Sequence, residues 1–376
     1  MKTVSDNPYS LWVETVRPRG RSRAVLVAEG SPSEICAGGS CENGKLRDFF
    51  HKHYSSCRSQ AGWPESVIAG RWTYEGDYWF GLFQGVRWVT PEDWVPVQGA
   101  WRVEGLTATP DEAGYCLAVQ KARDYIRAGD IYQVNIARLW QGSFTGSAEA
   151  LFSRMKETSP APCAAWIRTP EFSYLSASPE LFLHWSEDRV ATEPIKGTRP
   201  RGGDAAEDAR LLSELCQSPK ERAELLMITD LERSDLGQFC CYGSVRVESF
   251  AEVRSFAQVH HLVSTVSGEV RAGVAPWDLL LGCFPGGSIT GAPKKRAMEI
   301  IRELETRPRG VFCGSAGFFA PGFSHFNISI RTMEIGREGV LQFGAGSGIT
   351  HDSDARQEYL ETEHKASGVL QALTGG

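Results

Sequence analysis

Three groups of residues have the types and spacing to do chemistry. The first is a lysine in Glu193-Pro194-Ile195-Lys196-Gly197-Thr198-Arg199-Pro200-Arg201-Gly202. Pro194 fixes φ and biases its neighbour toward extended geometry, and Gly197 permits a tight turn, so Lys196 is expected at a strand-to-loop corner. Two uses are open for it: a basic turn with a solvated amine, or a nucleophilic or Schiff-base lysine. The second needs free amine near pH 7, supplied by desolvation or by a neighbouring cation, with Arg199 and Arg201 as candidates. Sixteen residues earlier, Ser178-Pro179-Glu180 sets a carboxylate just past a strand end. Leu181–His184 and Val190–Thr192 read as a hairpin around Glu187-Asp188. That hairpin would bring Glu180 and Lys196 to one end of a sheet as proton donor and nucleophile.

The second group is acidic. Ser218-Pro219-Lys220-Glu221 is a capping box with proline in the first turn, so a helix starts there and runs to about Arg233. Glu224 precedes Met227, Ile228 and Leu231 by three, four and seven residues, which sets a carboxylate at the head of the apolar stripe. In a last helix beginning near Ser353, Glu358, Glu361 and Lys365 share a face beside an apolar stripe. Glu361 and Lys365 are either an exposed i,i+4 ion pair or, with Glu224, part of an oxygen-ligand site for Mg²⁺. The third group is two glycine runs, Pro285 to Lys294 and Gly344-Ala345-Gly346-Ser347-Gly348, each preceding a helix. They read as two nests for a small polyanionic ligand. Ala292-Pro293 stands where a P-loop needs Lys-Ser/Thr, so the reading is not one of nucleotide binding.

The elements that must position these groups are mostly strands. Seven of the eleven tryptophans fall in the first 105 residues, among glycine and proline breaks, and Arg71–Tyr74 and Tyr78–Phe83 flank Glu75-Gly76-Asp77 as a hairpin. A helix is expected from Pro110-Asp111-Glu112 to Gly129, followed by a strand over Ile131–Ala137 that places Gln133 and Asn135 on one face. A short helix spans Ala148 to Thr158, then strands cover 164–167 and 172–177, in a sheet taken as mainly antiparallel. Further strands are expected near 245–247 and 259–263, and a helix from Pro293 to Glu305.

Composition narrows the class. With 41% hydrophobic and 23% charged residues, the chain is an ordinary globular one, and a net charge of −6 with scattered basic residues argues against a nucleic-acid footprint. No apolar run reaches about 18 residues, and Met1–Asp6 lacks an apolar stretch behind its charge, so no membrane span or leader is expected and a cytoplasmic location is. Ten cysteines without a C-x-x-C pair read as free thiols.

Taken in order, Tyr132-Gln133-Val134-Asn135, Ser178-Pro179-Glu180, Pro194-Ile195-Lys196-Gly197-Thr198, Glu221-Arg222-Ala223-Glu224, His260–Ser264, Pro285–Lys294, Ile330-Arg331-Thr332, the second glycine run and Glu361-x-x-x-Lys365 resemble the chorismate-utilising enzymes. The resemblance runs from about Tyr115 to Leu370. It implies an α+β fold of two interleaved subdomains, with mainly antiparallel sheets facing each other, helices outside and the site in the cleft. It also implies a catalytic domain over 111–376, with 1–110 a shortened β-rich region packed on it. Isochorismate and salicylate synthases of this family carry a water-activating lysine where this chain has Gln133, and anthranilate synthases an alanine where it has Lys196. The resemblance is therefore to the branch that aminates chorismate at C4 toward para-aminobenzoate and folate. By it, Lys196 attacks C2, Glu180 protonates the departing hydroxyl and His261 lies beside the ring. Arg331, Lys365 and the backbone near Gly346 and Gly348 take the carboxylates, and Thr198, Gln133 and Gly287 line the substrate. Glu224 and Glu361 hold Mg²⁺, with Glu358 on a metal-bound water. Ser234 and Gln238 depart from the family's usual Asn and Arg. Ammonia is expected from a class I glutamine amidotransferase subunit or from solution.

Overall fold

Aliphatic and aromatic residues make the hairpin around residue 75: Ser66–Trp72 and Tyr78–Gln84 pair antiparallel across Glu75-Gly76-Asp77, with Trp72 opposite Tyr78. The computed structural model describes residues 8–16, 23–39, 43–57, 59–60, 63–256 and 259–374. Cys41 and the Met1–Asp6 stretch lie outside them, and the nine described cysteines are free thiols.

Among the described residues two ten-stranded sheets form, and every strand pair is antiparallel. In spatial order the first runs β18 (Gly291–Ala292), β10 (Gln133–Gly146), β22 (Val340–Ile349), β21 (Thr332–Gly336), β12 (Phe172–Ser178), β11 (Cys163–Arg168), β1 (Ser10–Val16), β2 (Arg23–Glu29) and β8 (Arg87–Val89), with β9 (Trp101–Thr109) also on β10. The second runs β15 (Ile195–Pro200), β17 (Val259–Glu269), β14 (Arg189–Glu193), β13 (Leu181–Ser186), β20 (Phe323–Asn327), β19 (Ser315–Ala320), β6 (Ser66–Trp72), β7 (Tyr78–Gln84) and β3 (Glu34–Gly38), with β16 (Arg246–Ser255) on β17. A two-residue pair, β4 (Ser59–Gln60) and β5 (Trp63–Pro64), stands apart.

The inner faces pack on one another through Val13, Ile167 and Tyr174 of the first sheet and Ala69, Trp79 and Phe318 of the second. Burying such side chains stabilises by roughly 1.5–3 kcal/mol each, so this layer holds the sheets together. Arg71 of β6 also reaches across to Glu334 of β21, at 2.8 Å. Helices cover the outer faces. α1 (Asn43–Tyr54) and α6 (Pro276–Cys283) pack on the second sheet through Phe50 and Trp277. α3 (Ala148–Thr158) and α8 (Ala355–Leu373) pack on the first through Phe152 and Val369. α2 (Glu112–Arg127) and α7 (Lys294–Leu304) close over β10, while α4 (Ala205–Gln217) and α5 (Pro219–Gly237) lie along β15 and β17.

The expected helix boundaries hold where caps fix them. Asp111 caps α2 through Gly114 N–H, Ser147 caps α3 through Ala150 N–H, and Ser218 caps α5 through Glu221 N–H. α5 extends one turn past Arg233, to Gly237, because Glu232, Asp235 and Leu236 are buried and continue its inner face. α1, within a stretch read as β-rich, was not expected. No helix among the described residues is long and apolar enough to cross a membrane.

Candidate active site

The chain passes from one sheet to the other at Ser178-Pro179-Glu180, between β12 and β13. There Ser178 Oγ donates to Ile328 O (2.6 Å) and Glu180 O accepts from Ile328 N–H (3.1 Å). The Glu180 carboxylate is buried, with Oε1 3.4 Å from Ile195 N–H. Burial raises its pKa, against the opposing influence of Ser288 and Lys196.

Lys196 sits inside β15 rather than at a strand-to-loop corner. Gly197, at φ 79°, makes a bulge between Lys196 and Thr198, so that one side chain turns into the cleft without ending the strand. The amine donates to Ser288 O at 3.0 Å. Burial lowers its pKa; Glu224 opposes the fall and Lys365 adds to it. Arg199 and Arg201 are not the neighbours: Arg199 pairs with Glu221 (3.3 Å) and Arg201 with Asp208 (2.8 Å). Thr198 Oγ1 lies 2.9 Å from His261 Nδ1, and burial holds His261 down at about 4, so its ring is neutral at pH 7 with Nε2 buried and unpartnered.

The floor is β10 and β22. Gln133 and Asn135 are both buried, and neither amide oxygen has a partner among the described residues. Gln133 Nε2 lies 3.4 Å from Glu224 Oε2. The second glycine run is not a nest; it is part of β22, paired with β10 through Gly346 opposite Ala137 and Gly348 opposite Asn135. Glycine is required because a Cβ at 346 would stand 2.5 Å from Asn135 Oδ1, and one at 348 would overlap Gln133 Nε2. β21 pairs β22 only over 341–343, so the outer edge beyond it has no strand partner. Lys365 Nζ reaches that edge, donating to Gly346 O at 3.0 Å. A strand residue's N–H and C=O face the same way, so the N–H groups of Gly346 and, two residues on, Gly348 are presented there too.

The carboxylates come from the two helices. Burial raises Glu224, opposed by Lys196 and Lys220, with Glu361 adding to the rise; the closest ammonium, Lys220, is 3.9 Å away. Glu361 pairs with Lys365 at 2.7 Å. Both side chains keep nearly half their surface exposed, so the desolvation that would raise Glu361 and lower Lys365 is partial, and their pairing reverses it, leaving Glu361 low and Lys365 high. Glu358 is buried and accepts from Ser353 Oγ at 2.7 Å, which commits one oxygen to capping this turn. Arg331 adopts φ 49°, a conformation non-glycine residues rarely hold. No hydrogen bond or ion pair engages its guanidinium among the described residues, and burial works against its charge.

The first glycine loop is likewise not an open anion nest. Residues Gly287–Ile289 form a 3-10 turn, and Gly287 N–H donates to Glu232 Oε1 at 2.9 Å, so an internal carboxylate holds the place assigned to substrate. Glu232, and Asp235 beside it, were missed although their signal was present. They lie eight and eleven residues after Glu224, on the same helix face.

Neighbouring a buried acid with a desolvated amine gives the cleft a proton donor and a nucleophile. Arg331, Lys365 and the β22 edge offer cations and N–H groups to carboxylates, and Glu224 with Glu361 offers oxygens to a hard cation. Comparison with known proteins identifies the family. A profile described as chorismate binding enzyme matches residues 82–371. Aminodeoxychorismate synthase component 1 of Bacillus subtilis is 42% identical over 274 residues, covering 72% of this chain and 57% of that protein. An anthranilate synthase component 1 of Haloarcula marismortui is 38% identical over 324 residues, covering 85% and 63%. The chain thus spans about three fifths of the length of these curated relatives. Anthranilate synthase component I from Streptococcus pneumoniae shares the fold at a TM-score of 0.81 and 23% identity, over 94% of either chain. Together with the facing antiparallel sheets, a profile match across most of the sequence places this chain in the chorismate-binding enzyme family.

Proposed function

We propose that this chain aminates chorismate at C4, forming 4-amino-4-deoxychorismate, the reaction named in relatives such as the Bacillus protein. The observation that carries the reading is Lys196, which a bulge in β15 turns onto Ser288 O at 3.0 Å while the preceding residue, Ile195, sets its N–H 3.4 Å from the buried acid Glu180. Lys196 Nζ attacks C2 of the ring, both ring double bonds shift by one position, and the C4–O bond breaks as Glu180 gives its proton to the departing hydroxyl, which leaves as water. Ammonia then forms a bond to C4 and returns a proton to Glu180, the double bonds shift back, and the lysine amine is expelled from C2. The net change is chorismate plus ammonia to aminodeoxychorismate plus water. Neutral His261 borders the ring, and Arg331, Lys365 and the N–H groups of Gly346 and Gly348 bind the carboxylates. Gln133, a neutral amide, has no base to offer water at C2.

Among the described residues no three carboxylates or imidazoles converge on one point; two carboxylates nevertheless suit Mg²⁺, which takes the rest of its shell from water and substrate. Glu224 is a largely buried carboxylate with no cation closer than 3.9 Å and with Glu361 adding to its instability, so an oxygen-seeking divalent ion relieves both. Glu224 and Glu361 would hold it, with Glu358 behind a bound water. When bound, the ion supplies a Lewis-acid anchor for a substrate carboxylate. Relatives named component 1 support a glutamine amidotransferase partner as the ammonia source.

The test is purified protein with chorismate and Mg²⁺, with and without ammonium. Without ammonium, a covalent adduct of chorismate minus water is expected on the peptide containing Lys196; with ammonium, aminodeoxychorismate is expected. Anthranilate as the product would instead support the second reading, favoured by the 38% identity to the Haloarcula protein. An unmodified Lys196 peptide together with wild-type amination by Lys196→Ala would remove the assignment.

A further inference from the structure

The 3-10 turn at Gly287–Ile289 is pinned on both sides. On one side Gly287 N–H donates to Glu232 Oε1 at 2.9 Å; on the other Arg309 Nη1 donates to Ile289 O at 3.0 Å. Between the pins is Ser288, whose carbonyl accepts from the Lys196 amine at 3.0 Å and whose side chain works against the rise in the Glu180 pKa. One residue therefore bears on both members of the reacting pair, and its place is set by its neighbours.

The two pins differ in character. Arg309 is tied into the scaffold by Glu305 (2.6 Å) and Asn135 O (2.8 Å), as any buried arginine would be. Glu232 is costly: it is 3% exposed, and the nearby ammonium of Lys294 pairs with Asp235 and Cys283 O instead. Its only hydrogen bond among the described residues is the one from Gly287. Burial raises Glu232 to about 7, against Lys294 and with Asp235 and Glu180 adding to the rise.

We infer that Glu232 is a positioning residue for Lys196, fixing through Gly287 N–H the Ser288 carbonyl against which the amine is aimed. It touches neither substrate nor reacting atoms. The inference rests on the reading of Lys196 as the nucleophile, but its geometry can be measured without turnover.

The experiment uses the full chain and two substitutions. Glu232→Met keeps the volume and removes the acceptor; Glu232→Gln keeps an acceptor oxygen. Acetylation of Lys196 is followed across pH by peptide mass spectrometry, with Lys365 in the same cleft as reference, and kcat and KM for chorismate are measured with ammonium. Freed from Ser288 O, the Lys196 ammonium loses a stabilising acceptor. In E232M its labelling midpoint is expected to fall while that of Lys365 stays, and kcat to drop about tenfold at little-changed KM, the scale of one charged hydrogen bond. E232Q is expected to restore the midpoint. A folded E232M with an unchanged midpoint and kcat overturns the inference, and so does an E232Q that behaves like E232M. If wild type makes no aminodeoxychorismate, the functional reading fails while the midpoints still decide the role of Glu232.

Discussion

Gly348→Ala tests whether the floor of the cleft tolerates one methyl group. Gly348 has no left-handed φ, so alanine costs no backbone strain there and the effect is one of space. The new Cβ would overlap Gln133 Nε2, lie 3.3 Å from Gln133 Cδ and come within 3.8 Å of Lys196 Nζ. Gln133 is a side-chain end, so it yields rather than the sheet, and the stability cost is small, about 1 kcal/mol. What is lost is placement: an amide buried at 2% exposure is driven off Glu224 Oε2, its partner at 3.4 Å. A displacement of about 1 Å beside a reacting centre costs about 100-fold in rate, equivalent to about 2.7 kcal/mol of barrier. We expect kcat/KM for chorismate, followed by chromatography of substrate and product, to fall on that scale while Tm moves by no more than about 2 °C. Adding Gln133→Ala removes the clashing group, so the double variant should be no slower than Gln133→Ala alone, a coupling of at least about 1 kcal/mol. Wild-type activity in Gly348→Ala, or a double variant as slow as the two single losses added, would refute the reasoning.

The remaining expectations concern the acid, the metal and the sheet interface. Glu180→Gln should lower kcat by about 10²–10³-fold. Burial raises Glu180, so the wild-type rate is lost as pH climbs through that raised pKa and the acid gives up its proton; in the Gln variant this alkaline limb should vanish from the pH profile. The acidic limb, where the lowered pKa of Lys196 governs the free amine, should remain. Glu224→Gln should raise the Mg²⁺ concentration for half-maximal activity more than about tenfold, and an unchanged requirement would remove Glu224 from the metal site. Arg71→Met leaves Glu334 unpaired between the sheets, where the two side chains are only 11% and 23% exposed. Unfolding in urea should show a loss of about 3 kcal/mol, much of it recovered by a second change, Glu334→Gln.

Local rules explain what the sequence made legible. Ser147 and Ser218 carry cap oxygens that bind N–H groups three residues on, so the starts of α3 and α5 could be placed from spacing alone. That Glu180 and Lys196 fall at one end of a sheet followed from the hairpin between them, which sets Leu181 opposite Glu193. Other features depended on distant parts of the chain. Gly344 to Gly348 has the composition of a nest, yet it runs as a strand because Phe312, Asn135 and Gln133 fill the space where side chains would stand. Gly287 looked open to an anion, but the carboxylate that takes its N–H sits 55 residues away. Arg199 and Arg201 seemed to crowd Lys196 in sequence, whereas a one-residue bulge turns the lysine away from them.

The order of strands also sets the timing of the molecule's birth. β22 lies between β10 and β21, and β19 and β20 lie between β6 and β13, so each sheet waits for strands made about 280 to 330 residues after its first one. Until residues 340–349 have left the ribosome, the cleft lacks its floor and the edge of β10 that β22 covers is bare. Such an edge invites the wrong partner, so holdase chaperones are expected on nascent chains stalled before Val340. Stalled chains as resistant to protease as the finished protein would contradict this. Once β22 inserts, the first sheet is sealed, and the site is complete only when α8 docks behind it with Glu358, Glu361 and Lys365.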